Sequence, residues 1–183
     1  MKNKFNVVSC QFAVHYMFES EQKLSDFCSN INETLETDGY FFGTCLDGDL
    51  VKDKLINSTH NKIEGKIDDN TVWMIETDYF ENENKVSIGD KISVFVESIG
   101  VNHTEYLVSI DLLKTYLAEY NILLLNKEDS QKLIHSDKSF GNFRSWHKKY
   151  MNSTSGNPKI KLDDNLKEYS FMNMWFVFKK YTT

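Results

Sequence analysis

Val8-Ser-Cys-Gln-Phe-Ala-Val-His-Tyr-Met-Phe-Glu19 sets an amide, a histidine and three aromatic rings directly after a short β-branched run. Asn6-Val-Val8 reads as the end of a buried strand, and the residues from Glu21 onward read as a helix. The polar and aromatic cluster therefore falls at the carboxyl end of a strand in an α/β pattern. Open α/β sheets bind their ligands at that end. Gln11, His15 and Tyr16 offer hydrogen bonds to a base or sugar, while Phe12 and Tyr16 offer flat faces for stacking.

Working outward, Phe5–Cys10 is the strand candidate. Ser20 caps a helix running to about Leu35, with Leu24, Phe27, Ile31 and Leu35 at helical spacing. Asp38-Gly39 turns the chain into a second strand, Tyr40–Cys45, which completes one β-α-β unit of a parallel sheet. Asp47–Ile56 reads as a short helix and Asn57–Asn70 as a polar loop. Thr71–Thr77 and Lys91–Glu97 read as two strands, with Ile88-Gly-Asp-Lys91 as a turn signal between them. Ser109 caps a helix through Glu119 whose stripe is Leu112, Leu113, Tyr116 and Leu117. Asn121 is a left-handed stop before the strand Ile122–Leu125. Phe140–Met151 reads as helical, Ser153–Pro158 as a flexible loop, and Phe171–Lys179 as a closing strand. There is no internal repeat and no domain linker.

A chain of 183 residues, 40% hydrophobic and 14% aromatic, buries one ordinary core. A net charge of −6 argues against general nucleic-acid binding and leaves room only for a local basic track. Cys10, Cys28 and Cys45 are odd in number and lack CxxC spacing, so free thiols in a reducing compartment are expected rather than a zinc site. No apolar run is long enough to span a bilayer, and Met1-Lys-Asn-Lys4 is no signal peptide, so no membrane partner is expected. Asn-x-Ser/Thr matches at Asn32, Asn57, Asn102 and Asn152 follow from an Asn-rich composition.

The opening stretch resembles the strand-4 motif of mRNA cap guanine-N7 methyltransferases, roughly Phe-Asp-x-x-x-x-Gln-Phe-x-x-His-Tyr-x-Phe-Glu. Asp38-Gly-Tyr-Phe-Phe-Gly-Thr-Cys-Leu-Asp-Gly48 resembles the family's Gly-Gly-Tyr-Phe-Ile-Gly-Thr strand, and its Leu-Asp-Gly ending is closest to the versions in large DNA viruses. Glu105-Tyr-Leu-Val108 matches the family's Glu-Tyr-Leu-Val. Departures are Asn6 for Asp, Asp38 for Gly, Leu46 for a cap-contacting Pro, and Thr104 for Pro. Asn173, with Phe171 and Trp175 nearby, stands where the family has a cap-stacking Tyr.

The resemblance implies a class I (Rossmann-like) methyltransferase fold with a β insertion. No Gly-x-Gly follows a strand, so residues 1–183 are expected to be a partial domain, from strand 4 to the C-terminus, with the cofactor-binding half absent. It implies S-adenosylmethionine as cofactor, held by Gln11 and Tyr16. It implies 5'-capped RNA as substrate, its guanine lined by Phe12, His15 and Tyr16 and gripped by Glu105. The expected partner is the missing half or a capping-enzyme subunit, and the expected place is the cytoplasm, a viral factory or virion, or the nucleus in a cell. Guanine N7 carries no proton, so no acid–base residue is assigned. A second reading is a degenerate, non-catalytic subunit that stimulates a catalytic partner: the absent cofactor loop favours it, the intact motifs favour the enzyme. Taken singly, His15, Phe12 and Tyr16 would be core packing and Glu105 a solvated charge. Arg144-Ser-Trp-His-Lys-Lys-Tyr150 reads as a solvated helix face or as a contact for RNA phosphates.

Overall fold

Strand β1 (Phe5–Gln11), helix α1 (Glu21–Thr34) and strand β2 (Leu35–Leu46) form the β-α-β unit, with β1 and β2 parallel, in a computed structural model that describes residues 4–82, 84–153 and 159–182. The Ser20 hydroxyl accepts from the Lys23 N–H and starts α1, which buries Leu24, Cys28 and Ile31. The chain continues through α2 (Gly48–Ile56), β3 (Lys62–Ile67), β4 (Asn70–Glu76), β5 (Lys91–Val96), β6 (Asn102–Tyr106), α3 (Ile110–Ala118) and β7 (Ile122–Leu124). It ends with α4 (Lys127–Ile134), β8 (Phe140–Asn142), α5 (Phe143–Asn152), α6 (Asp164–Phe171) and β9 (Asn173–Lys180).

Two sheets result. The first has the order β1-β2-β9-β7, with β8 also pairing on β9; β9 runs antiparallel to β2, β7 and β8. Phe18, Leu24, Phe41, Leu113, Phe176 and Phe178 are buried in its core, to which α1 and α3 contribute. The second sheet is antiparallel, β3-β4-β5-β6, and shares Val51, Leu55, Trp73, Ile75, Ile92 and Leu107 with α2. Leu46, at the end of β2, belongs to this second core, so the chain enters it directly from the first sheet.

Several expectations hold. Ser109 caps α3, a short helix α2 follows Asp47, which caps it, and Asn121 takes a left-handed φ of 56°. Cys10, Cys28 and Cys45 are free thiols. No helix among the described residues is long and apolar enough to cross a membrane.

Others are corrected. β1 is not buried: Phe5 is 58% and Val7 52% exposed, because the face they share with Ser9 and Gln11 is uncovered, and among the described residues no strand pairs with the outer edge of β1. Leu35 begins β2 rather than ending α1, and Asp38 sits inside the strand in a left-handed bulge. The Asn57–Asn70 segment is not a loop but contains β3. Its polar residues conceal the alternation. Gly65 lies under Trp73, where a Cβ would come within 2.2 Å of the indole nitrogen, and Asp68-Asp69 turn the hairpin with φ of 49° and 65°. The insertion therefore has four strands rather than two. Residues 140–142 are strand β8, not helix, because Phe140 pairs with Phe176 before α5 begins. Phe171 ends α6, so the closing strand starts at Asn173. Of the Ser153–Pro158 loop, residues 154–158 lie outside the described residues.

Candidate functional site

At the carboxyl end of β1, Gln11 is in register with Thr44 of β2. The Thr44 hydroxyl donates to Gln11 Oε1 at 2.8 Å, and Gln11 Nε2 donates to Ser9 Oγ at 2.9 Å, so the exposed amide is held in one orientation. Phe12 then leaves the strand with a φ of 51°, its N–H donating to the Thr44 carbonyl at 2.8 Å. A bulky side chain in left-handed backbone costs about 1–3 kcal/mol and persists only where its surroundings enforce it. The result here is a ring 54% exposed, edge-on to Phe143 at 6.2 Å.

A 3₁₀ turn, Val14–Glu19, follows. It buries Val14, His15 and Phe18 and leaves Tyr16 45% exposed, its ring edge-on to His15 at 4.1 Å. Glu105, in β6 opposite Ile92, packs against this turn. His15 Nδ1 and Glu105 Oε2 stand 3.6 Å apart. That is too long for a hydrogen bond, and desolvation outweighs their attraction. Burial pushes Glu105 up to about 7 and His15 down to about 4, so each is driven toward its neutral form. His15 Nε2 is buried without a hydrogen-bond partner among the described residues. A carboxyl and an imidazole left this way, beside an exposed aromatic ring, make this corner a candidate ligand site.

The structure thus brings His15, Tyr16 and Glu105 together and sets Gln11 and Phe12 at the adjoining strand end. Thr44, Phe143 and Tyr169 complete the surroundings and were not singled out from sequence. Burial, with the Glu105 charge, pushes the Tyr169 hydroxyl up to about 12. Thr44 lay in a quoted motif but read as plain strand; nothing local marks Phe143 or Tyr169. Asn173 is buried, and its amide donates to the Tyr169 and Ser170 carbonyls, so it cannot stack on a ligand. A separate cavity of about 780 Å³, lined by Glu76, Asp78, Glu81, Asp90 and His60 among others, lies on the second sheet. Its acidic lining repels anions, and none of the expected site residues faces it.

Residues 1–181 match the mRNA (guanine-N(7))-methyltransferase domain family. The chain is 26% identical to a "Probable mRNA-capping enzyme" of Acanthamoeba polyphaga mimivirus over 99% of its own length and 18% of the relative's. It is 32% identical to an "mRNA cap guanine-N(7) methyltransferase" of Candida glabrata over 66% of its length and 30% of that protein. It therefore spans under a third of the length of these curated relatives. Among solved structures, an S-adenosylmethionine-dependent methyltransferase from Clostridium acetobutylicum superposes with a TM-score of 0.52 at 13% identity, covering 100% of this chain and 61% of the other. The CcbJ methyltransferase from Streptomyces caelestis gives the same TM-score at 12% identity, covering 99% and 59%. These two likenesses establish the fold, a Rossmann-like methyltransferase architecture.

Proposed function

We propose, from the premise that the chain belongs to the mRNA (guanine-N7)-methyltransferase family, that it carries the cap-guanine site of an enzyme that methylates N7 of capped mRNA. The observation that carries this reading is the Glu105 carboxyl, half-buried beside neutral His15 with no hydrogen bond to it, next to the exposed Tyr16 ring. A carboxylate accepts from both N1–H and the exocyclic amine of guanine, a pairing adenine cannot offer, and such charge-assisted bonds are about twice as strong as neutral ones. Phe12 and Tyr16 supply faces for the base, and stacking contributes roughly 1–3 kcal/mol per base.

The β1 end suits S-adenosylmethionine: Gln11 presents an oriented, exposed amide between two hydroxyls, and Tyr16 an exposed ring, which fit the polar edge and flat face of an adenosine. Gln11 and Tyr16 would hold it. When bound, the cofactor supplies an electrophilic methyl group. Guanine N7 has a free lone pair, so no side chain of this chain acts as a base. The work left to the protein is orientation, and holding reactants in line can supply several kcal/mol of the barrier, about 7–11 at the limit. As the guanine gains positive charge, an ionised Glu105 stabilises it.

The open edge of β1, with Phe5 and Val7 exposed, suits pairing with a further strand, in keeping with a domain whose cofactor-binding half lies outside these residues. In that arrangement the 183-residue chain alone binds S-adenosylmethionine weakly, and calorimetric titration showing tight stoichiometric binding would overturn the arrangement. The functional reading is tested by Glu105→Gln in the complete enzyme. The amide turns one acceptor into a donor facing a guanine N–H, so kcat/KM for capped RNA should fall roughly ten- to a hundred-fold while cofactor affinity stays unchanged. Parental kcat/KM in the variant would remove Glu105 from guanine recognition.

A further inference from the structure

Charge is distributed unevenly along this chain. Between Lys138 and Leu162 there are six Lys/Arg residues and no Asp/Glu, in a protein of net charge −6. Elsewhere most ion-paired lysines meet a carboxylate on the surface: Lys23, Lys54, Lys62, Lys66, Lys114, Lys132 and Lys167 all do. Among the described residues, none of Lys138, Arg144, Lys148, Lys149, Lys159 and Lys161 forms an ion pair. No residue of helix α5 is buried, and Arg144, Lys148 and Lys149 are exposed along it.

Aromatic rings interleave with these charges. Trp146 is 39% exposed, with Lys149 Nζ 4.6 Å from its ring centre, and it stands edge-on to Trp175 at 5.6 Å. Arg144 lies over Phe171 at 5.0 Å. A cavity of about 630 Å³ opens among Phe140, Trp146, Lys149 and Trp175, with Lys138 and Lys149 set against Asp47 and Asp137 in its lining. The Trp175 indole N–H is buried there with no acceptor among the described residues. Cations without an acidic partner, though Lys149 and Lys159 donate to backbone carbonyls, together with a half-exposed tryptophan and a vacant donor form a set that suits a single-stranded polyanion with flat bases.

The sheet ties this surface to the proposed guanine site. Gln11 pairs with Thr44, Thr44 with Trp175, and Trp175 with Gly141, in one row across β1, β2, β9 and β8. Three strand spacings of about 4.8 Å put the row's ends roughly 14 Å apart, a reach of a few nucleotides. Phe12 touches Phe143, the first residue of α5, at the near end. We propose that the β8–α5 surface seats the single-stranded RNA that follows the cap, with Lys138, Arg144, Lys148 and Lys149 taking phosphates and Trp146 stacking on a base. The direction of travel rests on the cap-guanine reading; the RNA contact does not.

Two measurements test it. The first is fluorescence anisotropy of the 183-residue chain with an uncapped, labelled ten-nucleotide RNA, over a range of salt. Arg144→Glu/Lys148→Glu/Lys149→Glu should weaken binding at least tenfold at low salt and flatten the slope of log K against log salt by about 2, from roughly 0.7 per phosphate lost. The control Lys62→Glu/Lys66→Glu/Lys114→Glu makes the same charge change elsewhere and should leave the slope intact. Trp146→Ala should lose about tenfold in affinity with the slope unchanged. Circular dichroism must show parental folding for each variant. Equal weakening by both triple variants, no RNA binding by the parent, or tighter binding of a polyglutamate peptide than of RNA would each overturn the proposal, the last in favour of an acidic protein partner.

The second uses the complete enzyme with a GpppG dinucleotide and a capped ten-nucleotide RNA. The α5 triple variant should keep its kcat/KM on the dinucleotide and lose about tenfold on the RNA. Equal rates on both substrates would sink the RNA track and leave the guanine site standing. If the parent methylates neither, the cap reading fails, and the RNA contact is then decided by the anisotropy alone.

Discussion

Asp90 and Glu105 are carboxylates withdrawn from water at the second sheet, and they are treated in opposite ways. Asp90 receives Lys52 Nζ at 2.7 Å and the Ser87 N–H at 2.8 Å, while Lys52 also donates to the Lys85 carbonyl and lies over the Phe80 ring. Lys52 and Asp90 are 2% and 7% exposed, and every charge in the pair has a partner. Among the described residues, Glu105 has only a neutral imidazole 3.6 Å away and no hydrogen bond to it. A buried charge that holds a fold together must be compensated, because an unpaired one costs several kcal/mol. One left uncompensated lowers stability at neutral pH, a cost that the proposed guanine contact would offset. Lys52 and Asp90 were invisible from sequence as a pair, since 38 residues separate them.

The contrast is sharpest if each pair is broken. Lys52→Ala strands the Asp90 charge, so the unfolding free energy should fall by about 3–5 kcal/mol in urea denaturation at pH 7. A loss below about 1 kcal/mol would mean that the pair behaves like a surface bridge and the comparison fails.

Glu105→Gln should move stability the other way. The folded-state value of Glu105 is raised from 4.5 to about 7, so its favourable contribution is complete below pH 4.5 and disappears as pH rises through 7. The Gln variant escapes that loss. At pH 8 it should be more stable than the parent by about 1–3 kcal/mol, with the difference shrinking to near zero at pH 4.5. His15, lowered from 6.5 to about 4, has the opposite sign, contributing above 6.5 and losing it as pH falls through 4, and it is common to both proteins. A Gln variant less stable at pH 8 would show that Glu105 is compensated after all.

The same titration should appear in recognition. Guanine needs the ionised carboxyl, so cap-dinucleotide affinity of the complete enzyme should fall as pH drops below about 7, approaching tenfold per unit, with cofactor affinity flat. Isothermal titration at a series of pH values on both sides of about 7 is the check, and in Glu105→Gln the slope should vanish.

The smallest effect concerns Phe12. Glycine accepts a φ of 51° without strain, so Phe12→Gly should change unfolding free energy by no more than about 1 kcal/mol despite removing a whole ring. A loss of 3 kcal/mol or more, about that of a buried Phe truncation, would make Phe12 a packing residue.

Period and motif were enough for the sequence to determine the β-α-β opening, the caps at Ser20 and Ser109, the left-handed Asn121, and the family. These depend on residues a few positions apart, where side-chain spacing and local hydrogen bonds act directly. The polar strands β3 and β6 escaped notice because their stability comes from Trp73 crossing Gly65 and from pairing with β5, contacts that leave no local trace. Gln11, Phe12, His15, Tyr16 and Glu105 could be named from motifs, but not that His15 and Glu105 would meet across 90 residues. Only the packing of β6 on the 3₁₀ turn withdrew that carboxyl from water, and only withdrawal raised its pKa. A residue's chemistry is written in its side chain, while its protonation at neutral pH depends on the solvent that the fold removes.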